Sequence, residues 1–232
     1  MDLDKIVKNY QPDQKILDLV KKTKVVLLCG ISGAGKNTIQ DKLLAKDVKF
    51  TRIITSTTRP PRDNNGVMER DGVDYYFFSK DQAAEKITKR EYFEVAHVHD
   101  NIYGITADEI QRIHDADKVA LASIDYQGVE YFHGYHPGIE VIFIVPPSYD
   151  VWYQRARQRY DNEVEFQSVL PVRKASALRE LDWALNTDYC HFLINDDLDT
   201  AVEQAYSMIG GELAEDSLAR EAASQMLAAI SK

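Results

Sequence analysis

Residues 30–37 carry the pattern in this chain that is best suited to chemistry. They read GISGAGKN, follow an apolar run and open a helical pattern. Glycines let backbone N–H groups turn inward around an anion, the helix N-terminus adds partial positive charge, and Lys36 adds a full one. A glycine-rich turn with a solvated lysine is the alternative, but the strand-to-helix context favours a phosphate site. The residues of the predicted phosphate site are Gly30, Ser32, Gly33, Ala34, Gly35, Lys36, Asn37 and Thr38.

The residue after Lys36 departs from the usual pattern. Asn37 stands where Ser or Thr is normal, and Thr38 follows it. The order GKNT resembles that of adenylate kinases, which have Gly then Thr after the lysine. We therefore expect Mg²⁺ to be held mainly by nucleotide oxygens and water, as this ion often is, and assign it no direct protein ligand. It is expected near Asn37 and near Asp125, an acid that follows an apolar strand as in a Walker B motif.

A second group of charged residues lies in STTRPPR, residues 56–62. Arg59 and Arg62 are three positions apart across a rigid proline pair. Two guanidinium groups so placed can grip one phosphate dianion, because each presents a planar fork of donors. The segment therefore predicts a second phosphate site.

Buried strands must position these groups. Each of four apolar runs is followed by a helical pattern, which is typical of a doubly wound α/β sheet with right-handed crossovers. These runs are 24–30, 118–125, 139–145 and 191–195. The predicted fold class is α/β: a parallel sheet of the P-loop NTPase type flanked by helices, with a small mixed-sheet insertion and a helical lid.

The insertion is predicted between residues 50 and 105, where the hydrophobic pattern of the sequence changes. Aromatic, alternating segments at 73–78 and 92–98 indicate strands, and 63–72 indicates a loop. The order T-A-D-E at Thr106 predicts a capping box that starts a helix. Residues 154–174 are rich in arginine and acids, which indicates a mobile, solvated helical flap.

Both ends of the chain are expected to be helical extensions. Residues 217–230 combine good helix formers with an apolar stripe, which predicts packing on the core or on a second copy of the chain. A homodimer through the terminal helices is therefore a possible assembly. The predicted segments are extension 1–22, core 23–49, insertion 50–106, core 107–153, lid 154–175, core 176–209 and extension 210–232.

Composition limits the partners. The net charge is −9 and the pI near 5.2, whereas nucleic-acid binders are usually basic, so phosphates must bind in a locally basic pocket. No apolar run approaches the roughly 20 residues of a membrane span, and the N-terminal residues lack the apolar centre of a signal peptide, so a cytoplasmic location is expected. Cys29 and Cys190 lie in apolar runs and are predicted to be buried thiols.

Several motifs together resemble one family, the guanylate kinases. In order along residues 24–209 they are GISGAGKNT, TSTTRPPR, DGVDYYF, EYFEVAHVHDNIYG, IDYQGVE, VIFIVPPS and INDDLD. This succession is far more specific than a single phosphate-binding loop.

The resemblance implies a role for each matching residue. Lys36 and the loop amides would hold ATP, and Asn195 would lie beside its adenine. The residues implied to act on the transferring phosphoryl group are Lys36, Arg59, Arg155, Arg159, Arg173 and Asp125. The residues implied to bind GMP are Thr55, Arg59, Arg62, Tyr75, Glu94, Tyr103 and Ser123. Arg157 and Arg179 match no family position.

Glu94 also supports guanine recognition on chemical grounds. Guanine presents N1–H and an exocyclic amine on one edge, and one carboxylate can accept both hydrogen bonds, whereas adenine presents a bare acceptor there. A hydrogen bond to a charged group contributes about 1.5–3 kcal/mol. Phe93 and Val95 flank Glu94, which argues against a solvated surface acid.

Two positions depart from the family pattern in the predicted guanine pocket. Ile105 stands where Ser or Thr is usual, and Ser123 stands where Asp is usual. Ile105 cannot hydrogen-bond the base, and Ser123 lacks the charge. The loop around 64–70 and the lid around 160–169 also carry extra residues.

The predicted activity is that of a guanylate kinase, which uses ATP and Mg²⁺ to convert GMP or dGMP to the diphosphate. The first alternative is a related kinase that accepts another purine monophosphate or a phosphorylated sugar. The sugar acceptor should not need Glu94. The second is a non-catalytic interaction module, which the retained Lys36, Asp125 and arginines disfavour.

Overall fold

The computed structural model describes residues 3–64, 66–98, 100–212 and 216–231, except the side chains of residues 3–5 and 64. The chain divides into two compact units. Unit 1 comprises Met1–Lys24 and Thr51–Ala120, and unit 2 comprises Val25–Phe50 and Leu121–Lys232. Each unit contains a sheet and its own helices.

The strands are β1 (Val25–Gly30), β2 (Phe50–Arg52), β3 (Ser56–Thr57), β4 (Asp63–Asn64), β5 (Val67–Met68), β6 (Tyr76–Phe77), β7 (Tyr92–Val98), β8 (Asn101–Thr106), β9 (Val119–Ser123), β10 (Glu140–Val145) and β11 (Cys190–Ile194). The helices are α1 (Leu3–Lys8), α2 (Gln14–Lys22), α3 (Lys36–Lys46), α4 (Lys80–Thr88), α5 (Ala107–Asp115), α6 (Tyr126–Tyr135), α7 (Tyr149–Arg157), α8 (Glu163–Leu185), α9 (Leu198–Ile209) and α10 (Ser217–Ile230). Within the described residues no helix is long and apolar enough to cross a membrane.

The larger sheet has the strand order β11-β10-β1-β9-β2. β10 pairs in parallel with both β1 and β11, with Leu27 opposite Val141 and Phe143 opposite Phe192. All six residues of β1 are buried, as expected for a central strand covered on both faces. The predicted parallel α/β sheet is therefore confirmed. Cys29 and Cys190 lie in this sheet as buried free thiols, as predicted.

The sheet of unit 1 has the order β6-β3-β8-β7. β3 pairs in parallel with β6 and antiparallel with β8, so the predicted mixed sheet is confirmed. Of the predicted strand 73–78, only Tyr76–Phe77 is strand. The preceding residues turn instead, since the Gly72 N–H donates to the Tyr75 carbonyl at 2.8 Å. Segment 63–72, predicted as a loop, contains a small hairpin of β4 and β5 with Gly66 at φ +84°.

α5 starts where the sequence predicts. The Thr106 hydroxyl accepts the Glu109 N–H at 3.3 Å, which is half of the predicted capping box. The Glu109 carboxylate turns away from the helix start: it accepts the Ile54 N–H at 2.8 Å and the Tyr76 hydroxyl at 3.0 Å, and it pairs with Arg112. The carboxylate is almost completely buried, so these tertiary partners outweigh the local cap.

The N-terminal helices belong to unit 1. Ile6, Val7 and Tyr10 pack against the apolar cluster of Ala83, Ile87, Tyr92 and Ile102. The C-terminal α10 packs on α8 and β11 of unit 2, and its buried residues include Ala223 and Met226. The apolar stripe of 217–230 is therefore used within the chain.

The arginine-rich segment 154–174 is largely helical and comprises the end of α7, a turn at 158–162 and the first half of α8. Most of its residues are exposed, as predicted, but a few side chains are buried. Phe166 is completely buried and Leu170 nearly so, because α8 turns these side chains inward.

Candidate functional site

The loop between β1 and α3 has a backbone that two positions restrict to glycine. Gly30 has φ +139°, and a Cβ there would lie 2.2 Å from the Ile144 carbonyl oxygen. Gly35 has φ +95°, and a Cβ there would lie 2.2 Å from Asn195 Nδ2. The strand-to-helix turn is therefore built around the two glycines of the motif, as a phosphate-binding loop requires.

Lys36 is the first residue of α3, and its ammonium group folds back over the loop. Nζ donates to the carbonyl of Gly30 and lies 3.5 Å from that of Ile31. Burial lowers the pKa of Lys36, and the charge of Glu180 partly opposes this. Glu180, on α8, accepts the Ser176 hydroxyl at 2.8 Å, and burial raises its pKa. Sequence reasoning missed Glu180, because 144 positions separate it from Lys36.

The predicted arginines of unit 2 surround the same loop. Arg155 donates to the Asn195 carbonyl at 2.8 Å, and Arg173 donates to the Ser32 hydroxyl at 3.0 Å and to the Tyr160 hydroxyl at 2.8 Å. A cavity of about 210 Å³ opens in front of the loop. Its lining residues are Ser32, Gly33, Gly35, Lys36, Asn37, Thr38 and Arg159. The structure thus brings together most of the predicted ATP-phosphate site.

Two side chains donate hydrogen bonds to backbone carbonyls of the loop. Asn195 is buried, and its amide donates to the Ala34 carbonyl at 2.7 Å. The Trp152 indole donates to the Ser32 carbonyl at 2.9 Å. Asn195 therefore holds the loop backbone in addition to the adenine contact that the resemblance implies. Trp152 was missed, since nothing local in its sequence marks it.

The polar residues at the end of β9 meet the loop at Asn37. The Ser123 hydroxyl donates to Asn37 Oδ1 at 2.7 Å, although the resemblance assigns Ser123 to the GMP base. Asp125 is exposed and caps α6 by accepting the Gly128 N–H at 2.9 Å. Among the described residues, no three His, Cys, Asp or Glu side chains are grouped to hold a metal ion.

Unit 1 contains the second charged group, centred on Arg59. Only 7% of the Arg59 side chain is exposed, and its guanidinium makes a two-pronged contact with Glu69, at 2.6 and 2.8 Å. This pairing raises the pKa of Arg59. Glu69 Oε2 also accepts the Arg62 N–H at 2.9 Å, so one carboxylate orders both ends of the segment. Sequence reasoning missed Glu69 because it lies beyond the hairpin.

Two predicted tyrosines join Arg59. Its guanidinium carbon lies 4.9 Å from the centre of the Tyr75 ring, and that ring meets Tyr103 edge-on at 6.4 Å. Tyr103 lies opposite Thr57, two residues before Arg59. Arg62 lies three residues after Arg59 in the same segment, and its side chain is exposed. The structure therefore assembles Arg59, Tyr75 and Tyr103 as predicted for a phosphate site.

Glu94 lies on the same sheet. It is half-buried on β7 opposite Ile105, and Ala96 lies opposite Tyr103, so Glu94, Ile105 and Tyr103 share a face. Ile105 is buried and offers this face no hydrogen bond. Thr55 precedes β3, and its carbonyl accepts the Tyr76 N–H at 3.0 Å. The Glu94 carboxylate and the cluster of Arg59, Tyr75 and Tyr103 thus occur together in unit 1, and their roles as nucleotide contacts stay predictions.

The sequence of this chain is similar to those of known proteins. Residues 22–212 match the family model described as guanylate kinase. The guanylate kinase of Rickettsia bellii is 33% identical over 186 residues, or 80% of this chain and 92% of the relative. That of Nitrosomonas europaea is 34% identical over 181 residues, or 78% and 86%.

A solved structure supports the fold. The crystal structure of guanylate kinase from Anaplasma phagocytophilum aligns with a TM-score of 0.56 and 23% identity, covering 91% of this chain and 97% of that one. The resemblance found in the sequence motifs is confirmed by the family match and by the identity to these relatives. The chain belongs to the guanylate kinase family.

Proposed function

We propose that this protein transfers the γ-phosphoryl group of ATP to GMP or dGMP, giving ADP and the nucleoside diphosphate. The observation that carries the proposal is the arrangement within unit 1. A phosphate-type cluster of Arg59, Tyr75 and Tyr103 shares a sheet with Glu94, a carboxylate suited to the guanine edge. Together with the family membership, this supports GMP as the acceptor.

On the donor side, the loop amides and Lys36 would hold the ATP phosphates. In the structure Lys36 rests on neutral carbonyl oxygens, which a phosphate can replace as a stronger partner. Arg155, Arg159 and Arg173 would add charge around the transferring group. Phosphoryl transfer depends mainly on positioning and charge stabilisation, so these cations are the groups the chemistry needs.

Magnesium would assist at the same loop. Asn37 and Asp125 carry oxygen atoms, the donor type that Mg²⁺ prefers, and the ion takes most of its ligands from phosphates and water. Bound there, it would neutralise charge on the ATP phosphates. The Asn37 side-chain oxygen accepts the Ser123 hydroxyl at 2.7 Å, and this hydrogen bond fixes the orientation of the Asn37 amide.

On the acceptor side, Arg59 and Arg62 would grip the GMP phosphate, and the Tyr75 and Tyr103 hydroxyls would donate to it. Glu94 would accept the guanine N1–H and exocyclic amine. Thr55 and Ser123 stay predicted contacts of GMP on the strength of the family resemblance.

A second acceptor is favoured by one observation. Ile105 is buried opposite Glu94 and cannot bond a purine edge, so GMP has fewer partners than a full set of polar groups would give. Another purine monophosphate that still presents N1–H, such as IMP, would lose fewer hydrogen bonds than GMP in this pocket. A phosphorylated sugar would leave Glu94 unused, and a non-catalytic module would leave Lys36 unused.

The proposed substrates place the activity in the cytoplasm, where ATP and GMP are available. A homodimer through the terminal helices stays a prediction, and sedimentation of the purified chain would test it.

The deciding experiment is a coupled assay of ADP release across GMP, dGMP, IMP, AMP and ribose bisphosphate at fixed ATP and Mg²⁺. We expect the highest kcat/KM with GMP or dGMP. A higher kcat/KM with AMP or ribose bisphosphate would overturn the assignment of GMP as the acceptor, but the protein would still be a kinase.

A further inference from the structure

Strand β7 carries one extra residue immediately before Glu94. Tyr92 lies opposite Thr106 and Glu94 lies opposite Ile105, so Phe93 is the extra residue of β7. In a regular strand Tyr92 and Glu94 would share a face, because side chains alternate with a period of two. The bulge sends them to opposite faces instead. Glu94 reaches the face of Tyr103 only because the bulge is there.

The other side of the bulge is buried against the N-terminal helices. Tyr92 is completely buried in the cluster that α1 covers. Its hydroxyl lies 3.2 Å from the Ser56 hydroxyl, and Ser56 also donates to the Gly104 carbonyl at 3.2 Å. Ser56 starts the segment that holds Arg59. Tyr92 therefore connects the bulge, across β8, to the segment that carries Arg59.

Tyr10, from the N-terminal segment, clamps the bulge from outside. Its hydroxyl accepts the Tyr92 N–H at 2.9 Å and donates to the Tyr92 carbonyl. Among the described strands β7 lies at the edge of the sheet, so these two backbone groups face away from the strand that β7 pairs with. One phenol can satisfy both, because it is donor and acceptor at once. Burial raises the pKa of Tyr10 to about 12, so it remains a donor at neutral pH.

We propose that Tyr10 is a positioning residue for the accepting nucleotide: it locks the bulge that turns Glu94 to the nucleotide face. Tyr10 precedes residues 22–212, the part that matches the family model, so this contribution is added by the N-terminal extension. The inference rests on the proposed function, in which Glu94 reads guanine.

The test is Tyr10→Phe, which keeps the ring in the apolar cluster and removes only the hydroxyl. We expect the Kd and KM for GMP to rise about 5- to 20-fold. The Tyr92 N–H and carbonyl would lose their shared partner, and the bulge could then shift Glu94 out of position. The kcat and the KM for ATP should stay within about twofold. Tyr206→Phe is the matched control: its hydroxyl bonds Asp47 at 2.7 Å in unit 2, and GMP binding should not change.

A double mutant separates positioning from general destabilisation. If Tyr10 acts through Glu94, then Tyr10→Phe should change GMP binding by less than about twofold in a Glu94→Gln background. Full additivity, an unchanged Kd for GMP in the single variant, or equal losses for ATP and GMP would each overturn the proposal.

Hydrogen exchange distinguishes failure of this inference from failure of the proposed function. Exchange of the amides of residues 92–95 should accelerate at least tenfold in Tyr10→Phe if the lock exists, whatever the acceptor is. Wild-type exchange rates in the variant would overturn the lock. Failure of the wild-type protein to bind GMP, with faster exchange in the variant, would overturn only the guanylate assignment and leave the clamp in place.

Discussion

The two units hold their cations in different ways. In unit 2, Lys36 and Arg155 rest on backbone carbonyls, and Arg173 rests on two hydroxyls. In unit 1, Arg59 is locked to the carboxylate of Glu69 by two short hydrogen bonds.

The difference follows from what each site must do. Neutral oxygens are weaker partners than a phosphate, so the cations of unit 2 can move to ATP at little cost. A carboxylate holds a guanidinium in one orientation, so Arg59 is fixed before any acceptor arrives. On the proposed assignment, the donor site of unit 2 is therefore adaptable, whereas the acceptor site of unit 1 is preorganised. Each prediction below except the last tests one side of this contrast.

The largest effect is expected from Lys36→Ala. Loss of the charge at the transferring group should lower kcat by about 10²–10³-fold or more, with the fold intact by circular dichroism. Lys42→Ala is the control, since Lys42 is exposed and pairs with a surface acid, Asp199, at 2.8 Å. Near-normal turnover in Lys36→Ala would contradict the assignment of the ATP site to unit 2.

Glu94→Gln should follow in size. The substitution replaces one acceptor oxygen by an NH2 donor, which would face a donor of guanine, so kcat/KM for GMP should fall about 10- to 100-fold. The KM for ATP should not change. Glu85→Gln, at an exposed α4 position that pairs with Lys89 at 2.6 Å, should behave as wild type. A Glu94→Gln enzyme with normal GMP kinetics would mean that another group reads the base.

Glu69→Gln tests preorganisation directly. Without the charged partner, Arg59 should sample other orientations, and the KM for GMP should rise about 3- to 10-fold. A fall in KM would show that Glu69 competes with the phosphate and would contradict the contrast drawn above. The counterpart in unit 2 is Tyr160→Phe, which removes a neutral partner of Arg173 and should change the KM for ATP by less than about twofold.

Ser123→Ala decides which site Ser123 serves. Its hydroxyl donates to Asn37 in the loop of unit 2, so we expect the KM for ATP to rise about 2- to 4-fold with GMP unaffected. A selective rise in the KM for GMP would instead support the role that the family resemblance implies. Isothermal titration with each nucleotide separates the two outcomes.

The smallest effect concerns stability in unit 2 away from either site. Burial raises the pKa of Glu140 on β10 to about 7, from an ordinary value of 4.5. Between these values the folded state holds a proton that the unfolded chain has released, so stability falls as pH rises through this window. Glu140→Gln should therefore raise Tm at pH 8 and change it little at pH 4. An equal shift at both pH values would exclude titration of Glu140 as the cause.

Local patterns in the sequence were sufficient for much of this protein. The glycine and lysine spacing of residues 30–36, the apolar strands and the start of α5 depend on neighbours within a few residues, so their physics can be read along the chain. The cluster of Arg59, Tyr75 and Tyr103 was predicted through a family resemblance rather than from local rules.

The tertiary structure alone decided how these groups are held. Glu69 reaches Arg59 across a hairpin that the sequence indicated only as a loop, and Glu109 left its predicted cap for partners on other elements. The bulge at Phe93 reverses the face that simple alternation gives Glu94, and Tyr10 holds it from 82 positions away. Buried polar groups take the partner that satisfies them in three dimensions, and distance along the chain carries no information about which partner that is.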